Sequence, residues 1–245
     1  MIKLFHRACA NYGLLADGDR VLVALSGGKD SLMLTRLMAR QSRILKPRIE
    51  VEAVHVIMDN IPYETERTYL EQFCKDEGIR LTILHASFDA ERAANSKKPK
   101  CFLCSWHRRK AIFQYATEKG FNKVALGHHQ DDFLVTMLMN LTYEGAFSSM
   151  VPSMPMRHYP ITIIRPLCLI PEKMIKEVAI AEGFQKQKTP CPFEKETKRT
   201  TMTQLLQHIE SLNPEARYSM WHAMQEAQLK NMKAPSLPPR GEEME

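Results

Sequence analysis

Apolar residues along the chain switch repeatedly between short unbroken runs and helical spacing. Val21 to Leu25 is a continuous apolar run rich in β-branched residues, as expected of a strand covered on both faces. Comparable runs at 51–57, 80–85, 124–126 and 161–164 predict further strands. Between them the spacing predicts helices over 30–42, 63–77, 101–119, 130–143 and 171–182, with Gly78 and Gly120 ending the second and third. An amphipathic helix is predicted at 2–15, from Leu4, Phe5, Ala8, Cys9, Tyr12 and Leu15. Strands alternating with helices imply an α/β fold, a doubly wound parallel sheet of five strands.

Other stretches break the alternation. Residues 87–100 are polar and close on the basic run Lys97-Lys98-Pro99-Lys100. Residues 145–160, with Gly, Met, Ser and several prolines, read as a loop. Residues 200–230 read as helices broken at Asn213-Pro214, and a Pro- and Glu-rich tail follows Lys233. The expected organisation is a catalytic domain over 1–192, a helical extension over 193–232 and a disordered tail over 233–245.

Composition narrows the class. A chain of 245 residues, 44% hydrophobic and 25% charged, can bury a substantial core. No apolar run approaches the roughly 20 residues that span a bilayer, so no membrane is expected. The N-terminus shows no long apolar stretch or small-residue cleavage site, which makes the expected location cytoplasmic. A net charge of +6 suits a polyanionic partner such as RNA. In a reducing compartment the six cysteines are not expected to form a disulfide framework, and a close pair among them points to metal or redox work. Cys9, Cys74 and Cys168 stand alone in apolar or helical surroundings and read as small buried hydrophobes.

Between the first strand and its helix lies Ser26-Gly27-Gly28-Lys29-Asp30-Ser31. Glycines there let backbone N–H groups turn toward a phosphate, and the helix N-terminus adds partial positive charge. Ser26 and Ser31 supply hydroxyls and Lys29 a cation, while Asp30 is placed to hold Mg²⁺ or the helix start. The spacings of a Walker A loop and of a dinucleotide fingerprint are both absent. Cys101-x-x-Cys104 precedes Trp106 and His107-Arg108-Arg109-Lys110, with Cys191 far downstream in Pro190-Cys191-Pro192. Two thiols three residues apart at a helix start, beside positive charge, favour thiolates. They fit a redox dithiol, half a zinc site, or a [4Fe–4S] cluster completed by Cys191 with one iron open.

Ser-Gly-Gly-Lys-Asp-Ser is the signature of the PP-loop ATP pyrophosphatases, and the chain resembles that superfamily. Cys101-x-x-Cys104, Arg108-Arg109, Gly127-His128-His129-Gln130-Asp131-Asp132, Ile164-Arg165-Pro166-Leu167 and Pro190-Cys191 follow in order. Together they resemble the tRNA 2-thiocytidine synthetase family, over about residues 18–192.

The resemblance implies that Ser26, Gly27, Gly28, Lys29, Asp30 and Ser31 bind ATP, with Asp59 and Gly127 near the nucleotide. It implies a [4Fe–4S] cluster on Cys101, Cys104 and Cys191, with Asp131 or Asp132, together with Lys29, serving catalysis. The implied reaction is adenylation of O2 of a cytidine, position 32 of a tRNA, followed by its replacement with sulfur, with Mg²⁺ neutralising the departing pyrophosphate. Glu194 stands where such enzymes often carry a second cysteine after Cys191, and their Gly-Ser-Gln is missing. His128 and His129 read as structural or substrate-positioning rather than as metal ligands.

The RNA side rests on Lys97, Lys98, Lys100, Arg108 and Arg109 as phosphate contacts. Phe102 and Trp106 offer stacking surface or core packing in equal measure. The expected partners are tRNA, a sulfur donor (a cysteine desulfurase or sulfide) and, as a homodimer, a second copy. The alternatives are a lysidine-forming type of PP-loop ligase and a zinc-stabilised RNA-binding protein.

Overall fold

A computed structural model describes residues 1–61, 66–88, 100–185 and 198–233. The chain divides into two compact units, a sheet unit of residues 1–130 and 151–195 and a helical unit of 131–150 and 196–245.

The sheet unit begins with helix α1 (Ile2–Asn11), strand β1 (Arg20–Ala24), helix α2 (Lys29–Ser42), strand β2 (Glu50–Met58), helix α3 (Arg67–Asp76) and strand β3 (Arg80–Ala86). Helix α4 (Lys100–Glu118) and strand β4 (Lys123–Ala125) follow, then β5 (Ser153–Pro155), β6 (Thr162–Ile164) and helix α6 (Glu172–Ala181). Helix α5 (Gln130–Met139) leaves the sheet unit after its first residue. The six-stranded sheet has the order β3-β2-β1-β4-β6-β5.

Strands β3, β2, β1, β4 and β6 are the five parallel strands that the apolar runs predict. The sixth, β5, is an antiparallel edge strand within the segment expected to be a loop. It is three residues long and flanked or ended by Pro152 and Pro155. A run that short carries too little alternation to stand out, and proline is tolerated there because an edge strand bonds on one side only.

β1 is central, which explains its unbroken apolar sequence. Val21 and Val23 pack with Phe5, Met33, Leu37 and Ile175 in one layer. Leu22 faces the other, with Val54, Val56, Ile112, Phe113 and Val124. Val21, Leu22 and Val23 are all fully buried, each worth roughly 1.5–3 kcal/mol relative to exposure.

Strand order reverses on either side of β1, so its carboxyl end opens a crevice at the switch point. Helices following parallel strands run back along the sheet, which gathers the starts of α2, α4 and α6 at that same edge.

The helical unit holds the rest of α5, a wide π turn over Asn140–Glu144, and helices α7 (Lys198–Leu212) and α8 (Ala216–Lys233). The turn replaces the last residues of the helix expected over 130–143. Phe133 is fully buried and its ring lies 5.5 Å from that of Trp221 of α8. Asn213-Pro214 separates α7 from α8, as the sequence indicates.

Candidate active site

The nucleotide loop is closed around one hydroxyl. Ser31 Oγ accepts hydrogen bonds from the amides of Ser26 (3.2 Å) and Gly27 (3.1 Å) and donates to the carbonyl of Gly28 (2.8 Å). The Ser26 hydroxyl donates to the same oxygen at 3.1 Å. Gly27 has φ +89°, a left-handed backbone that side chains strain, and this twist turns the loop amides inward. Gly28 is the N-cap of α2, whose first turn carries Lys29, Asp30 and Ser31. Such convergent amides beside a helix N-terminus form a pocket for anionic oxygens.

Lys29 Nζ lies 2.9 Å from Asp30 Oδ2 and 2.9 Å from Glu172 Oε1. The other oxygen of Glu172 accepts from Lys176 Nζ at 2.9 Å. Burial works against the ammonium of Lys29, but hydrogen bonds to Glu172 and Asp30 outweigh it and raise the pKa above the ordinary lysine value. Burial likewise opposes the Glu172 carboxylate, and its bonds to Lys176 and Lys29 reverse the effect and lower the pKa. Glu172 has no signal in the local sequence, because α6 returns to the loop only through the fold.

Gly127, just after β4, fits against the start of α2. A Cβ there would lie 3.2 Å from the Ser31 amide nitrogen and 3.3 Å from the Asp30 carbonyl carbon. The adjoining turn is held by the Gln130 amide, which donates to the Ile170 carbonyl at 3.0 Å. His129 is buried, with Nε2 3.8 Å from Asp30 Oδ1, and His128 is half-buried. Both histidines thus lie in the turn beside the loop. Asp59, at the carboxyl end of β2, is exposed and its Oδ1 lies 2.7 Å from His85 Nδ1. His55, deep in β2, bonds through Nδ1 to the Leu25 carbonyl at 2.7 Å, directly below the loop. Burial lowers its pKa.

Helix α4 begins at Lys100, and of Lys100 and Cys101 the backbone alone is described. Cys101 and Cys104 stand at i and i+3 in its first turn, and Cys104 marks one side of the helix. Cys104 is half-buried and forms no disulfide. Arg108 continues that side and is half-buried, close enough to His55 to lower its pKa further.

A neighbouring stripe at i, i+4, i+7 and i+8 presents Phe102, Trp106, Arg109 and Lys110, all exposed. Lys110 Nζ stands 5.4 Å from the centre of the Trp106 ring. Phe102 and Trp106 are therefore surface groups, not core. Cys191, Glu194, Lys97 and Lys98 lie outside the described residues. Thiolates at a helix N-terminus, beside guanidinium groups, form a soft donor set suited to iron–sulfur or zinc binding.

Asp131 and Asp132 belong to the helical unit, where each carboxylate meets an arginine. Arg217 of α8 donates to Asp131 Oδ1 at 2.7 Å and also bonds Glu210. Arg199 of α7 donates to Asp132. Burial of the Arg217 guanidinium is outweighed by its bonds to Asp131 and Glu210, which raise its pKa. Sequence alone gave no sign of these pairings, since both arginines lie in the helices beyond the recognisable motifs.

No helix among the described residues is long and apolar enough to cross a membrane.

The model of the PP-loop domain family matches residues 3–204. The tRNA-cytidine(32) 2-sulfurtransferase of Legionella pneumophila (strain Corby) is 34% identical over 233 residues, covering 91% of this chain and 80% of its own. The protein of the same name from Citrifermentans bemidjiense is 31% identical, with 89% and 86% covered. That from Haemophilus influenzae (strain PittEE) is 31% identical, with 94% and 74% covered. Among solved structures, the U34-tRNA thiolase NcsA from Methanococcus maripaludis with its [4Fe-4S] cluster is similar in fold. Its TM-score is 0.71 at 22% identity, over 92% of this chain and 77% of that one.

Proposed function

The chain belongs to the PP-loop domain family, with tRNA-cytidine(32) 2-sulfurtransferases as its relatives, and from that membership we propose that it is an ATP-dependent tRNA thiolase acting on a cytidine. The observation that carries this reading is the preformed loop, in which the Ser26 and Gly27 amides converge at the start of α2 and Lys29 stands in that helix's first turn.

In the first step cytidine O2 forms a bond to the α-phosphorus of ATP. The α–β phosphoanhydride breaks and pyrophosphate leaves. The loop amides and Lys29 would hold the phosphate chain, Asp30 would hold Mg²⁺, and Gly127 keeps the turn close to the loop. A poor oxygen leaving group has become AMP, a good one. A sulfide nucleophile, from a desulfurase or from free sulfide, then adds at C2 and AMP departs.

Cys101, Cys104 and Cys191 would hold a [4Fe–4S] cluster, which when bound supplies an iron site able to carry that sulfide. The i, i+3 pair and its basic surroundings fit this group. The stripe of Phe102, Trp106, Arg109 and Lys110 offers stacking surface and phosphate contacts, and Arg108 with Lys97, Lys98 and Lys100 of the sequence would add phosphate contacts. Asp131 and Asp132 would serve the chemistry at the start of α5.

The test is nucleoside mass spectrometry after incubating the protein, assembled under anaerobic iron and sulfide, with tRNA, ATP and sulfide. 2-Thiocytidine should form with wild type and vanish in Lys29→Ala and in Cys104→Ala. The Lys29 variant should keep its cluster absorbance and the Cys104 variant should lose it. A lysidine product, or thiolation that persists in Lys29→Ala, would overturn the reading.

A further inference from the structure

The sequence singles out Lys29 as the phosphate cation, but the fold adds a residue that no loop motif contains. Glu172 sits in the first turn of α6, where a carboxylate is favoured by the helix N-terminus. One of its oxygens is fixed by Lys176 and the other meets Lys29 Nζ at 2.9 Å. Its backbone is equally fixed. Ile170 and Ile175 are fully buried, and the Ile170 carbonyl accepts from the Gln130 amide. Lysine is a flexible four-carbon stem ending in a point charge, so a rigid anchor restricts it strongly.

We propose that Glu172 is a positioning residue for ATP cleavage: it holds the Lys29 ammonium at one point beside the loop, aligning the phosphate chain while lowering its affinity. The inference rests on reading the loop as the ATP site. Its two halves follow from charge and geometry. Asp30 and Glu172 surround the Lys29 ammonium with two carboxylates, so an incoming polyanion meets a cation already neutralised. Removing the charge of Glu172 makes the loop more attractive to ATP. The same removal frees the ammonium to swing, and the α–β bond then breaks from a less well aligned complex.

A merely structural Glu172 would not separate affinity from rate. The full-length protein is titrated with an α,β-methylene ATP analogue and Mg²⁺, and pyrophosphate release with tRNA is timed in a single turnover. Glu172→Gln should bind the analogue as tightly as wild type or more tightly, while pyrophosphate release slows about tenfold or more, the scale of one charge-assisted hydrogen bond. Glu172→Asp should recover part of the rate. A wild-type rate in Glu172→Gln, or a parallel loss of affinity and rate, overturns the inference while leaving the ATP site standing. A wild-type protein that binds no analogue removes the ATP site, and the inference with it.

Discussion

Three cysteines that play no part in the site show how strongly position decides reactivity. Burial pushes the thiols of Cys9, Cys74 and Cys168 up to about 12. At pH 8 only about one molecule in ten thousand then carries the thiolate at each, against about one in four for an ordinary cysteine. Iodoacetamide at pH 8 should therefore spare all three in native protein and modify Cys104, with peptide mapping as the readout. Labelling of the three should rise as the pH climbs toward 12, or on unfolding. The burial of Cys74 and Cys168 was legible in the sequence because each sits in an apolar or helical run, whereas Cys9, expected to be buried with them, is half-buried. Glu172 was not legible, since its pairing with Lys29 exists only after α6 has packed against α2. The pairings of Asp131 and Asp132 with Arg217 and Arg199 are of the same kind.

At the scale of elements, contiguous motifs were readable and dispersed ones were not. The loop was legible because strand, glycines and helix start follow one another within a dozen residues. The reason for Gly127 came only from the fold, which presses it against backbone atoms of α2. Backbone cannot swing aside as a side chain does, so Gly127→Ala must displace either the turn or the loop. A loss of about 1–3 kcal/mol in urea unfolding, with weaker binding of an ATP analogue, is the expected result. Helix α4 divided differently. Its apolar residues are spread round the helix, so the sequence left Phe102 and Trp106 balanced between core and surface, and the structure exposes both.

For the molecule as a whole, the α/β class and the five parallel strands followed from period alone, as central strands must be apolar on both faces. The helical unit was less readable because its core joins α5 to segments that begin some sixty residues later. Trp221 is 7% exposed and packs on Phe133. Trp221→Ala should cost about 3–5 kcal/mol in the stability of that unit, measured by denaturant unfolding. Leu206 and Met224 are buried in the same unit, and the ion pairs of Arg217 add to this apolar packing without replacing it.

The edge strand β5 leaves one more consequence. Sheets with bare rims invite a neighbour to dock its own backbone alongside and so to grow strand by strand. Here the outermost strand spans three residues and Pro155 lacks an amide to offer. The sheet is stoppered on that side, and copies of this chain that meet at this rim must do so through side chains rather than by sharing a ladder.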